Sequence, residues 1–248
     1  MTNFPKITDR PSKIIQIDNC YKIHDVDPIT NTIIYEDIVR NIFIKEIDKD
    51  RKAIRTSANC RFEALDFKKN IWIESDEFYE IFDIHGTHIK TIKNHHSLII
   101  KHMSKFSNQF TAISTGAMVY CLFDPLSYQI EIRKVLQVPR YCYTWFCNRE
   151  IYCYISTNTE GSSQLVLKYI KTDKVVLVQK ASYAAYMGAG YILLKREYGD
   201  YCIFLNNTVL EINLKENEID FYRSLKITPV RSDQVIFWSI DCNKVNIY

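Results

Sequence analysis

The sequence predicts an all-β fold built from repeated four-strand units, and three observations carry that expectation. Aromatic residues make up 13% of the 248 residues, with 17 Tyr and 13 Phe, and Ile is abundant. Such side chains suit the pleated, half-buried surface of a sheet. Apolar runs are short and broken every few residues by turn chemistry, and a helix-like period arises only near His96–Phe106. The turns also recur. The last hairpin turn of each unit centres near Lys49, His85, Pro125, Thr172, Asn206 and Cys242, at intervals of 36, 40, 47, 34 and 36 residues. These average about 39 residues, and the long interval contains the loop Thr157–Ser163.

Residues 1–12 are polar, carry Pro5 and Pro11, and read as a flexible arm. Lys13–Ile17 is a strand standing apart. The first unit runs Cys20–Val26, Thr32–Val39, Asn41–Asp48 and Lys52–Ser57, turning at Asp27-Pro28, where Asp hydrogen-bonds its local backbone. The second is the clearest copy: Phe62–Phe67, Asn70–Ser75, Phe78–Ile84 and Thr87–Lys93, closed by the turn at His85-Gly86. The third comprises Ser97–Lys101, Phe110–Ser114, Ala117–Phe123 and Tyr128–Leu136. The fourth comprises Tyr141–Phe146, Ile151–Ser156, Gln164–Ile170 and Lys174–Gln179. The fifth is Tyr183–Met187, Gly190–Lys195, Asp200–Leu205 and Thr208–Ile212, turning at Asn206-Asn207. The sixth is Glu218–Phe221, Lys226–Val230, Gln234–Ser239 and Lys244–Tyr248.

A meander of four strands buries little alone, so such units stack. Over residues 13–248 the period and strand count resemble a β-propeller of six four-stranded blades, WD40-like in spacing, with five- and seven-blade closures as the alternatives. The chain is then one propeller domain, with Lys13–Ile17 pairing with the last blade to protect an edge. The resemblance is one of architecture. Trp72, Trp145 and Trp238 are followed by Ile, Phe and Ser, so the Trp-Asp ending is missing. The Gly-Gly doublet of kelch repeats and the sialidase Asp-box are missing too, and no functional residues carry across.

Composition bounds the function. Apolar residues reach 47%, enough for a core, while 32 basic and 29 acidic side chains leave a net charge of +3, which by itself calls for neither nucleic acid nor membrane. No apolar run reaches a membrane span and the N-terminus lacks the apolar centre of a signal peptide, so the expectation is a cytoplasmic or nuclear protein. The eight cysteines lack metal spacing and read as reduced, mostly buried thiols. Asn206-Asn207-Thr208 reads as a hairpin turn rather than a glycosylation site.

Five of six histidines, His85, His88, His95, His96 and His102, fall within 18 residues, but their turns point to different ends of the sheets, so no metal or other cofactor is expected. Asp25, Asp27, Asp48, Asp50 and Asp76 sit at turns. Gly188-Ala189-Gly190 reads as a strand-connecting turn rather than a phosphate loop. Sorting loops by the end of the sheet they occupy gives one net basic face. Its partner-binding residues are Arg61, Lys93, Lys101, Arg140, Tyr141, Trp145, Tyr183, Arg196 and Tyr198, joined by His95, His96, His102, Lys105 and Lys180. Basic loops with nearby aromatics suit an acidic protein segment or a nucleic-acid strand. The expectation is a non-enzymatic interaction module or scaffold that binds an acidic partner segment through this face. A hydrolase or lyase using carboxylates at a central channel, and an RNA-binding propeller, are the alternatives.

Overall fold

A computed structural model of the protein describes residues 10–46, 49–54, 61–75, 77–139, 142–157, 163–196, 201–205, 208–212, 218–231 and 234–248. These form six four-stranded antiparallel sheets, the blades of a six-blade β-propeller. Strand β1 (Lys13–Gln16) comes first. The first sheet is β2 (Cys20–Asp27), β3 (Thr32–Asp37), β4 (Ile42–Glu46) and β5 (Lys52–Ala53); the second is β6 (Arg61–Leu65), β7 (Ile71–Glu74), β8 (Phe78–Phe82) and β9 (His88–Lys93). The third is β10 (Ile99–Met103), β11 (Gln109–Ser114), β12 (Ala117–Phe123) and β13 (Ile130–Val135); the fourth is β14 (Thr144–Phe146), β15 (Ile151–Thr157), β16 (Ser163–Tyr169) and β17 (Val175–Ala181). The fifth is β18 (Tyr183–Gly188), β19 (Tyr191–Lys195), β20 (Tyr201–Leu205) and β21 (Thr208–Glu211). The last follows α1 (Ile219–Ser224) and orders β22 (Leu225–Arg231), β23 (Gln234–Asp241), β24 (Lys244–Ile247) and then β1, so the N-terminal strand completes it. Ile17 N–H donates to Asn243 O at 2.9 Å, and Ser12 Oγ donates to Ile247 O at 2.9 Å.

Short turns are held by side-chain oxygens that accept the backbone N–H groups the strands leave unpaired. Asp27 accepts from Ile29 N and Thr30 Oγ1, Asp37 from Val39 N and Asn41 N, and Asp83 from His85 N and Thr87 N. Asp124 accepts from Leu126 N and Ser127 N, and Asn148 from Glu150 N and Ile151 N. These bonds give Asp27 the turn role expected of it, whereas Asp25 lies within β2 and Asp48 and Asp76 lie outside the described residues. At Asp124 the amide and hydroxyl of Ser127 and the amide of Leu126 hold the carboxyl below the usual carboxylate range.

The chain divides into two compact units, residues 14–136 with 240–245, and residues 1–13 with 137–239 and 246–248. The core of the first centres on Trp72, which is fully buried and meets the rings of Phe123 at 5.1 Å, Tyr79 at 5.9 Å and Tyr128 at 6.0 Å. Its indole N–H donates to Asp66 Oδ2 at 3.2 Å, and the buried Asp66 also accepts from Lys68 N, Asn70 N and Asn70 Nδ2. One carboxylate therefore closes the β6–β7 turn and anchors the largest core side chain. In the second unit, Ile151, Leu165, Leu167, Ile192 and Leu194 pack with Cys147, Cys153 and Cys202, while Met187, Leu193, Ile203, Leu225 and Ile227 form a neighbouring cluster. Four of the described thiols, Cys121, Cys147, Cys153 and Cys202, are buried, and burial pushes Cys121 up to about 12.

Two expectations are corrected. Glu218–Phe221 is not the first strand of the last unit. Helix α1 occupies this region, with Asp220 in its first turn and Arg223 in its last, where each charge complements the helix dipole, and β1 supplies the fourth strand instead. The helix-like period near His96–Phe106 forms no helix: the expected strand Ser97–Lys101 appears there as β10 (Ile99–Met103), its partner β11 fixes the pairing, and Ile100 and Met103 turn inward. The expected strand Lys52–Ser57 contains β5, and its residues 55–57 lie outside the described ones, as do residues 1–9 of the arm, the Asn206-Asn207 turn and most of the Thr157–Ser163 loop. Gly188-Ala189-Gly190 is the β18–β19 turn, as its residues imply. Gly188 has a φ of +115°, and a Cβ there would collide with the Ile227 carbonyl.

Asp66→Ala should destabilise the protein by about 3 kcal/mol in denaturant unfolding, because it strands buried donors, Trp72 Nε1 among them. Gly188→Ala should cost more than about 2 kcal/mol through backbone strain and the clash with Ile227, read as a lowered Tm.

Candidate functional site

Strand β9 is the outer strand of the second sheet, and its sequence, His-Ile-Lys-Thr-Ile-Lys, leaves every residue but Ile92 exposed. Its pairing with β8 determines which backbone groups reach the outer edge. Asn94 N–H donates to Glu77 O at 2.8 Å, and Phe78 lies opposite Lys93. Pairs in an antiparallel ladder alternate between bonded and non-bonded, so Ile92 and Lys90 bond β8, while the N–H and C=O groups of Thr91 and Lys93 turn outward. The carbonyl of Phe78, opposite Lys93, accordingly bonds Ser75 N on the other side at 2.8 Å.

A groove of about 410 Å³ runs along this strand from Lys90 to His96, walled on its far side by Ser127–Ile130 between β12 and β13. Ile92, Leu98 and Ile130 supply its apolar surface, and Lys90, Lys93, His95 and His96 its basic rim. Among the described residues no carboxylate lines it. Tyr128, its one aromatic, is buried and accepts from Asn70 Nδ2 at 3.0 Å. Asn94 braces the loop beside the rim: it accepts from Leu98 N and donates to Leu98 O at 3.0 Å. Pairing and alternation could have flagged Lys90, but the Ser127–Ile130 wall comes from another sheet and left no local signal.

Arg61 sits at the same end of this sheet as Lys93, since Arg61 pairs with Glu74 and Phe78 with Lys93. Its guanidinium donates to Glu63 Oε1 at 2.6 Å and to Glu74 Oε2 at 2.7 Å, so its charge is shared between two largely buried carboxylates. Burial, then the hydrogen bond and charge of Glu74, push the Glu63 carboxyl well above the usual range.

Lys101 is exposed in β10, at a register shift between Ile100 and His102. Lys105 lies in the β10–β11 connection, at the opposite end of the sheet from Lys93, and this corrects its place on the basic face. It donates to Leu65 O at 2.9 Å and pairs with Asp25 at 3.1 Å. Lys69 likewise pairs with the buried Asp27 at 2.6 Å. Burial, then the charge of Lys105, push His102 down to about 3, so it is neutral. His85 faces Glu46 and His88 faces Thr91 Oγ1, and among the described residues no three His, Cys, Asp or Glu side chains converge as metal ligands.

The other expected site residues belong to the second unit. Trp145 is half-buried between the rings of Tyr143 and Tyr186, at 6.2 and 6.0 Å. Tyr183 lies under the Arg223 guanidinium at 4.8 Å, and the Arg196 carbonyl accepts from Ser182 Oγ at 3.3 Å. Arg140, Tyr141 and Tyr198 lie outside the described residues. No described helix is long and apolar enough to cross a membrane.

The chain matches no protein-family model, and no curated protein matches it. Solved structures do. BBS1N, crystallised in complex with ARL6DN, is similar over 96% of this chain and 95% of that one, with 8% identity and a TM-score of 0.52. A chain of the mitotic checkpoint complex is similar over 100% of this chain and 87% of that one, with 9% identity and a TM-score of 0.52. The WD40 domain of SCAP from fission yeast is similar over 94% of this chain and 64% of that one, with 12% identity and a TM-score of 0.51. Together with the six sheets, these likenesses define the class: a β-propeller of WD40-like fold.

Glu63→Gln should reveal the raised pKa of Glu63. In the folded protein Glu63 keeps its proton at pH values where the unfolded chain has released it, so stability falls as pH rises through that window. The variant lacks this slope. It should match the wild type near pH 4 and exceed it by about 1–2 kcal/mol at alkaline pH, in unfolding curves taken across pH.

Proposed function

We propose that the protein is a non-enzymatic interaction module, and that it binds an acidic partner segment through basic residues of the second and third sheets. The observation that carries this reading is the groove beside β9, where Lys90, Lys93, His95 and His96 rim an apolar floor free of carboxylates. Such a surface complements glutamate- or aspartate-rich segments and repels basic ones. Two of the similar structures are complexes, BBS1N with ARL6DN and the mitotic checkpoint complex, and a partner-binding role fits that company.

A single-stranded nucleic acid is a poorer fit, because base stacking needs exposed aromatic faces and the groove's one aromatic, Tyr128, is buried. On this reading Lys101 extends the basic surface, and Arg140, Tyr141, Trp145, Tyr183, Arg196 and Tyr198 are proposed as partner contacts of the second unit by itself. Residues 13–248 act as one domain carrying the arm 1–12. Buried free thiols such as Cys121 and Cys153 support a reducing compartment, cytoplasm or nucleus.

The double variant Lys90→Glu, Lys93→Glu should bind a fluorescent glutamate-rich peptide about tenfold or more weakly than the wild type, with an unchanged Tm. Wild-type binding should also weaken as salt rises. Equal capture of the peptide by both proteins would overturn the reading, and tighter capture of oligouridylate than of the peptide would replace it with the nucleic-acid one.

A further inference from the structure

The outer edge of β9 carries one step more, which rests on the reading above. We propose that the acidic segment binds as an added β-strand on β9, pairing its backbone with Thr91 and Lys93 and setting alternate side chains into the groove. An edge strand presents a row of unpaired donors and acceptors, a template for another chain. Here the outward-turned groups belong to Thr91 and Lys93, and among the described residues no strand pairs with that edge. The groove is lined by Lys90, Ile92 and Lys93 of the strand and by Asn94, His95 and His96 of the turn that follows it, so a ligand paired with β9 would lie beside it. By the two-residue period of a strand, Lys90 and Ile92 share one face of β9 and Lys93 stands on the other, so an added strand would meet a lysine on each face and the apolar Ile92 and Ile130 on one of them.

Charge selects the occupant. A second copy of β9 would bring lysine against lysine, which disfavours self-pairing, whereas an acidic strand gains at the same positions. The outer edge of the third sheet lacks this bias: β13 carries Glu131 and Arg133 as an ion pair at 2.7 Å. The strand-addition site is thus placed on the second sheet rather than the third.

The test uses the full chain and a short fluorescein-labelled peptide of alternating glutamate and valine. Thr91→Pro removes an outward N–H and spares the β8–β9 ladder, since Thr91 does not bond β8, and Pro is tolerated in such edge positions. It should weaken peptide binding about tenfold or more, with Thr91→Val as the control that keeps the N–H and binds as the wild type does. The same peptide, N-methylated at alternate amides, should bind the unaltered protein about tenfold more weakly, and this arm requires no variant to fold. If proline and N-methylation are both silent while Lys90→Glu, Lys93→Glu abolishes binding, strand addition is overturned and the acidic-groove reading stands. If the peptide fails to bind, or binds regardless of the lysine reversal, both fall.

Discussion

Carboxylates that close turns hold this fold together. A four-stranded sheet must reverse direction three times within a few residues, and each reversal leaves backbone N–H groups without a ladder partner. Asp27, Asp37, Asp66, Asp83 and Asp124 accept those groups at successive turns, and Asn148 does the same with a neutral oxygen. At Asp66 the device reaches into the core, because the same carboxylate that bonds Asn70 N also receives the Trp72 indole N–H. Around that ring stand Phe123, Tyr79 and Tyr128, drawn from two sheets. Turn geometry and inter-sheet packing are therefore one constraint, set by a buried charge whose bonds compensate its loss of water.

This arrangement determines which cations face a partner. Turn aspartates at one end of the sheets also attract lysines, so that Lys69 is tied to Asp27 and Lys105 to Asp25. Arg61, at the other end, is shared between Glu63 and Glu74. Lys90 and Lys93 line a groove that no carboxylate of the described residues shares. A chain with a net charge of only +3 can in this way present a locally basic surface.

Edge strands invite unwanted pairing, and the protein treats its edges differently. The N-terminal strand β1 is drawn into the last sheet beside β24, with Ile17 and Asn243 bonded just beyond. Strand β9 instead stays open and carries lysines. The first arrangement serves stability, and the second combines protection from self-association with access for a strand of opposite charge.

The sequence by itself determined the strand content, the repeat near 39 residues and the turns, because each rests on short-range alternation or on turn chemistry between neighbours, while the pairing of Lys13–Ile17 with the last blade followed from the need of the repeat to close. His102 and Lys105 show where such signals stop. The segment around them imitates a helical period, yet pairing with β11 makes it a strand, since a sheet partner outweighs weak local preference. Glu218–Phe221 fails for the converse reason: the sheet already held its fourth strand in β1, and the segment was left to form α1. Only the tertiary structure decided which charges are satisfied internally and where a groove opens. Lys105 and Asp25 are 80 residues apart in the chain, Lys69 and Asp27 are 42 apart, and Asn70 and Tyr128 are 58 apart. Contacts over such separations leave no trace in any window of neighbouring residues, because packing between sheets brings them together.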